Sequence, residues 1–414
     1  VRRETYTPLA AALSIMVACS SRREARPPDP PAAPATHAVP DGSTTAASAG
    51  TPATTSGATS AVRCSECHRS ASEEWKGSAH ARASTSAAYV AMRRATPGER
   101  CERCHAPVAN AAAADEPLAA EGVSCDACHT MVETAARRAG GAFRLRPNDR
   151  VKFGPLCDAK VIYFHRMACA PIQEESGLCA SCHLYYRSLP GGMELPVLTE
   201  FEEWASGPDG DGSMECQGCH MPGAAGEAAI GAGARSAIHH HGFLGRDDLL
   251  RTRAVTVRIS AHREGDRVAG QVIVTNRGAA HRIPTGLPDH RLVLRVRAVG
   301  PGGTVLGTAE YVYGRVLVDG RGVNAPFNLA VRVASDNRLE PGERRREQFA
   351  LRAPAAGSVQ AEVLWREREP QLATALHVAA PREVLMASAE ARVASGRTIA
   401  SEGGAPATAA GRAP

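Results

Sequence analysis

The chain has 414 residues, room for two or three domains, and a formal net charge of +5. Its basic residues are scattered and never interleaved with aromatic ones, which argues against nucleic acid as a partner. Thirteen cysteines are too many for a reducing cytosol, and 4% aromatic residues are too few to fill ordinary cores along the whole chain.

In chain order, residues 1–19 have the form of a signal peptide. Arg2 and Arg3 precede an apolar stretch from Pro8 to Val17, shorter than the ~20 residues that span a bilayer. It ends in Met16-Val17-Ala18-Cys19, which resembles the lipobox of bacterial lipoproteins. That resemblance implies lipidation of Cys19. With Ser20 following, it also implies sorting to the outer membrane, facing the periplasm or exposed at the surface. Residues 20–61, rich in Pro, Ala, Ser and Thr, cannot bury enough surface to offset ordering entropy and read as a disordered tether.

Residues 62–250 hold twelve of the cysteines. Ten form five strings: Cys64-Ser65-Glu66-Cys67-His68, Cys101-Glu102-Arg103-Cys104-His105, Cys125-Asp126-Ala127-Cys128-His129, Cys179-Ala180-Ser181-Cys182-His183 and Cys216-Gln217-Gly218-Cys219-His220. Each is CxxCH. Two thiols at this spacing add across the two vinyl groups of one haem, and the adjacent histidine becomes the proximal iron ligand. Zinc sites need cysteine pairs to converge two by two, and neither zinc nor a disulfide framework calls for a histidine after every second cysteine. The expected cofactor is therefore haem c, five groups, covalently attached. Their propionates would add about ten negative charges and make the loaded protein mildly acidic.

The strings and their candidate ligands span residues 64–241, about 35 residues per haem, too little protein for a separate core around each. The expected fold is mixed: a haem-packed domain of short helices and irregular segments, with porphyrins as its core, followed by a second domain of another kind.

Several features of this region resemble a family. The first string is followed by Trp75 and by Ser78-Ala79-His80-Ala81. Phe153-Gly154-Pro155-Leu156 and His165 precede the fourth string, and Glu203-Trp204 precedes the fifth, which continues Met221-Pro222. Farther on comes His281-Arg282-Ile283-Pro284-Thr285-Gly286. Over about residues 62–350 the chain resembles multihaem c-type cytochromes related to the tetrahaem cytochrome of ammonia oxidisers, in the hydroxylamine-oxidoreductase-related superfamily. The resemblance implies that His80, His165, His241 and His281 are distal iron ligands. The fifth distal ligand is open. Neighbours in an extended stretch point to opposite sides, which offers His240 to a different haem from His239 and His241; the competing reading leaves two of the three exposed. Met92, Met131, Met167 and Met221 are further axial candidates. Cys157 and Cys169 depart from the family pattern together, flank His165, and in an oxidising compartment suggest a disulfide.

Residues 251–395 change character. Val255, Val257 and Ile259, then Leu292, Leu294 and Val296, then Val359, Ala361, Val363 and Trp365 alternate with polar residues between turn signals such as Glu264-Gly265-Asp266. This reads as an antiparallel β-sandwich whose loop after Asn276 presents His281 to a haem. Residues 396–414 read as a disordered tail.

The expected function is electron relay through mostly bis-histidine haems. The partners would be redox proteins, either other cytochromes or a membrane quinol-oxidising complex, together with the membrane through the lipid anchor. No catalytic constellation is present, and no CxxCK replaces a CxxCH. The alternative is an oxidoreductase in which one haem has an open position and acts on a small nitrogen or sulfur compound.

Overall fold

The attachment strings occupy single helical turns in this computed structural model, which describes residues 57–96, 100–112, 116–135, 142–148, 150–159, 164–245, 249–393 and 401–403. The signal segment, Cys19 and nearly all of the tether and tail fall outside the described residues. In the part that carries the strings, α1 (Ala61–Ser65) enters the first string, followed by α2 (Arg69–Gly77) and α3 (Ala87–Ala95). The second string forms α4 (Glu102–His105), with α5 (Pro107–Ala112) and α6 (Glu116–Ala120) after it. The third is α7 (Cys125–His129), the fourth ends α8 (Ser176–His183), α9 (Glu200–Ala205) follows, and the fifth is α10 (Cys216–His220). One helical turn places positions i, i+3 and i+4 on one face, so both thiols and the imidazole of each string point the same way.

The segments between these helices are more regular than the sequence suggests. β1 (Met131–Ala135) pairs antiparallel with β2 (Ala142–Leu145), and β3 (Val151–Gly154) pairs parallel with β4 (Arg166–Cys169). β5 (Tyr185–Ser188) and β6 (Glu194–Leu198) form one antiparallel ribbon, β7 (Gly223–Glu227) and β8 (Ala234–His239) another. Where little protein core exists, a two-stranded ribbon lets a segment satisfy its own backbone groups. Large buried apolar side chains are scarce here. Val108, Met131, Leu184, Leu189, Leu195 and Val197 are accompanied mainly by alanines.

After α11 (Leu249–Ala254) the chain builds two four-stranded sheets. β9 (Val255–Glu264), β10 (Arg267–Asn276), β15 (Arg344–Arg352) and β18 (Ser401–Gly403) form one, in the order β15-β10-β9-β18. β11 (Arg291–Val299), β12 (Val305–Tyr313), β16 (Ser358–Arg366) and β17 (Glu383–Arg392) form the other, in the order β12-β11-β16-β17. β18 comes from the segment expected to be unstructured; its backbone pairs with Val257–Ile259 at the sheet edge. Val257, Ile259, Val272 and Val274 of the first sheet share one core with Leu292, Leu294, Val363 and Ala387 of the second. The period-2 alternation of the sequence is the pattern of this burial.

The described residues all belong to one compact unit. A second cluster joins Leu189 and Leu195, on and beside the β5–β6 ribbon, to Leu317 and Ala330. Leu317 lies on β13 (Arg315–Val318), the partner of β14 (Arg332–Asp336). Arg187 donates to the carbonyls of Phe327 (3.1 Å) and Ala330 (2.6 Å). The boundary at residue 250 is therefore a change of architecture crossed by packing.

Leu294→Ala should destabilise the protein by about 2–5 kcal/mol, the usual cost of a cavity in a close-packed core. Thermal unfolding should record the loss, with the visible haem spectrum of the folded protein unchanged.

Candidate haem sites

In an imidazole bound through Nε2 by a bond of about 2 Å, the ring centre lies about 3 Å from the metal, so two rings on opposite sides of one iron stand about 6 Å apart. Four histidine pairs meet that spacing. His68 and His165 lie 6.1 Å apart with planes at 22°, and His80 and His183 lie 6.2 Å apart at 64°. His129 and His241 are separated by 6.2 Å at 27°, and His220 and His281 by 6.3 Å at 18°. Each pair joins one CxxCH histidine to one histidine outside the strings.

Four of the five string histidines are oriented by backbone partners. Nδ1 of His68 meets the carbonyl of Ala228 at 2.7 Å, and Nδ1 of His105 that of Ala83 at 2.8 Å. His129 meets Phe153 at 2.7 Å and His220 meets Leu244 at 2.6 Å. A carbonyl accepts only from a protonated Nδ1, which leaves Nε2 unprotonated and available to a metal. On the other side, His80 has a buried Nδ1 without a hydrogen-bond partner. Burial, reinforced by the neighbouring His183, His105 and His220, pushes its pKa down to about 3. Burial, with His129 next, takes His241 down to about 4. Both imidazoles are neutral at pH 7, the form that ligates.

The backbone holds the distal rings in place by close contacts. The carbonyl of His80 accepts from the amide of Val123 at 3.0 Å, and the indole of Trp75 donates to the Val123 carbonyl at 2.8 Å. A Cβ on Gly122, which has φ of +67°, would lie 2.4 Å from that His80 oxygen, so only glycine fits there. Phe243, with φ of 51°, sets its ring 4.2 Å from His80 and 6.5 Å from His241, edge-on to both. Around His165 the parallel β3–β4 pair is closed by a disulfide between Cys157 and Cys169.

His105 has a different neighbour. Tyr89 of α3 stacks on its ring with centres 4.5 Å apart and planes at 28°, too close for a metal between them. Among the described residues no histidine faces His105 at iron-spanning distance. Burial first, then the carboxylate of Glu102, pushes the Tyr89 phenol up to about 12, so it remains a neutral hydroxyl at physiological pH. Sequence reading missed Tyr89; the unfilled fifth distal position was the only hint. His240 has partners of its own. Its Nδ1 accepts from the amide of Gly242 at 3.0 Å and its Nε2 stands 3.7 Å from Glu74. His239 bonds the carbonyl of Met221 at 2.7 Å, and His290 packs on Trp365.

None of the ten string cysteines is in a disulfide. The thiols of Cys64 and Cys125, of Cys104 and Cys182, and of Cys179 and Cys216 lie close enough to perturb one another across different strings. Among the described residues no three His, Cys, Asp or Glu side chains converge as a metal-holding cluster. An opposed imidazole pair with two thiols beside it suits a porphyrin, which brings four nitrogens of its own.

A model of the family described as cytochrome c554 and c-prime matches residues 63–130, which include the first three strings and Tyr89. The fold is similar to the crystal structure of a penta-heme cytochrome c552 from Thermochromatium tepidum. The TM-score is 0.64 and the identity 23%, over 81% of this chain and 99% of that one. No curated protein matches. The family match and the shared fold support a multihaem c-type cytochrome.

Thiol titration of the unfolded, unreduced protein should find neither Cys157 nor Cys169 free, and both after reduction. The double Ser variant should lose roughly 2–4 kcal/mol of stability, the usual contribution of such a bridge.

Proposed function

We propose that this chain is an exported pentahaem c-type cytochrome that relays electrons between redox proteins. The observation that carries this reading is the set of four opposed histidine pairs, each coupling a CxxCH to a remote histidine at the spacing two axial ligands require. A bis-histidine iron has no free position; it exchanges electrons and does no bond chemistry. The cysteines of the strings would form the thioethers. His68, His129, His183 and His220 would be proximal ligands opposed by His165, His241, His80 and His281 in that order, and His105 would be the fifth proximal ligand. The closeness of these thiols favours adjacency of the first and third haems, the second and fourth, and the fourth and fifth. In this scheme Cys19 anchors the protein to the outer membrane, and its partners are other cytochromes or a quinol-oxidising complex.

Tyr89 favours a second reading for one haem. It stacks on the His105 ring, among the described residues no histidine stands opposite that ring at the spacing of the other four pairs, and His240 is engaged elsewhere. The iron held by His105 would then keep one position open, fitting an oxidoreductase acting on a small nitrogen or sulfur compound. That haem would supply the iron that changes oxidation state. The chain's own residues would orient His105 through the Ala83 carbonyl and cover its ring with Tyr89.

Alanine at His80, His165, His241 or His281 should each convert one low-spin haem into a form that binds carbon monoxide after reduction, whereas His240→Ala should leave the count unchanged. The unaltered protein should bind one equivalent. An all-low-spin protein that binds none would remove the open position. Unchanged spectra in all four alanine variants would remove the bis-histidine reading.

A further inference from the structure

We infer that Glu203 is a positioning residue that holds the distal histidine His281 over the iron of the fifth string, so that the coordination of this haem depends on a buried ion network at the seam between the two parts of the chain. The inference rests on the reading of His281 as a ligand and adds what keeps it there.

His281 lies on the loop between β10 and β11, outside the cytochrome part, and its ring must stay 6.3 Å from His220 of α10. From the sheet side, the side-chain amide of Asn276 donates to the His281 carbonyl at 3.0 Å. Ile283 and Leu339 exchange backbone hydrogen bonds at 3.0 and 2.8 Å. Those contacts tie the loop to its own sheet and say nothing about the haem.

The link to the cytochrome part is α9. Glu200 accepts from the amide of Gly286 at 2.7 Å, and Glu203 accepts from the amide of Arg282, next to His281, at 3.0 Å. Gly207, just past the helix, lies so near the loop that a Cβ on it would be 3.1 Å from the Ala280 carbonyl.

The Glu203 side chain is 9% exposed, and a buried carboxylate needs several donors to offset its desolvation. It has them. Arg338 donates at 2.7 Å, the hydroxyl of Thr199 at 2.6 Å, and the guanidinium of Arg315 stands 3.6 Å away. Asp336 closes the network, 3.0 Å from Arg315 and 2.9 Å from Arg338. Arg315 also donates to the Pro196 carbonyl and to Thr199, at 3.1 and 2.8 Å. Two buried cations from the strand region are thus matched by one carboxylate of that region and one from the haem part. The same Glu203 carboxylate carries the bond to the ligand loop. An uncharged side chain at 203 would leave the two guanidiniums short of one anion and weaken the acceptor of the Arg282 amide together.

The test compares holoprotein of unaltered sequence with Glu203→Gln, Glu203→Asp, His281→Ala and Asp266→Asn. The last removes only an exposed pair with Arg352, 2.8 Å long on the same sheet, and serves as control. Haem content per chain, low-temperature electron paramagnetic resonance and carbon monoxide binding after reduction are read for each. Glu203→Gln should gain high-spin signal and carbon monoxide binding up to one haem equivalent, approaching His281→Ala, with the haem count and the control unchanged. Glu203→Asp keeps the charge on a shorter arm; it should retain low-spin iron with shifted g values. If His281→Ala opens a site and Glu203→Gln does not, the positioning role is overturned while the ligand assignment stands. If His281→Ala opens none, the ligand assignment fails first. Should Glu203→Gln not accumulate, Glu203→Asp decides: g values identical to the unaltered protein overturn the inference, and shifted ones support it.

Discussion

Two imidazoles on opposite sides of one metal must stand about 6 Å apart, and most of the cytochrome part follows from meeting that distance four times. The string half of each pair is local: a helical turn sets both sulfurs and the imidazole on one face. The other half comes from far along the chain. His68 is matched by His165, with two other strings between them, and His220 by His281 from beyond the change of architecture. Long connections are thereby obligatory, and they are stabilised as two-stranded ribbons rather than by cores of their own. The contrast in buried side chains has the same origin. The sheets share a dense set of Val, Leu and Ile, while the cytochrome part buries mostly alanine around the space between its imidazoles. On the proposed function, porphyrin fills that space, and the low aromatic content ceases to be a deficit.

The parts legible in the sequence are those whose chemistry is local. CxxCH is fixed by the geometry of covalent attachment, and the alternation of Val255, Val257 and Ile259 by the pleat of a strand. Pairings between remote histidines have no local signature; resemblance pointed to His80, His165, His241 and His281, but which string each faces emerged only in three dimensions. His240 shows why alternation was a weak guide. β8 ends at His239, the chain then turns, and the amide of Gly242 and the carboxylate of Glu74 take up the imidazole. Tyr89 was not legible, because an aromatic on a short helix next to alanines looks like any packing residue. The ribbons were missed for a related reason: their strands are four to six residues long, too short for an alternating apolar pattern to stand out.

Two of the buried ion pairs lie beside a string or a histidine that faces one. Asp126, inside the third string and fully buried, pairs with Lys152 at 2.6 Å and accepts from the amide of Thr59 at 2.7 Å. Lys152 adjoins Phe153, whose carbonyl orients His129. Such pairs add little net stability, since desolvation offsets their attraction. Their value lies in directionality: a carboxylate with two or three donors accepts them in only one arrangement, and a backbone bonded to it inherits that arrangement. The third string and the His281 loop are both held in this way.

The division between closed and open coordination then has a structural logic. Four of the string histidines take their opposing ring from a segment with its own anchorage: a disulfide beside His165, the Gly122 turn under His80, Glu74 bonded to the amide of His241, and the Glu203 network beneath His281. His105 has no such segment opposite it. What packs on it is Tyr89 of α3, whose N-terminal cap is Ser86 and whose ring stacks against the imidazole instead of facing it across a gap. Cys104 of the same string lies close to Cys182 of the fourth, whose other cysteine lies close to Cys216 of the fifth. On the second reading, the one haem able to take a ligand from outside would adjoin a haem that cannot, and electrons would reach a single open position through closed ones.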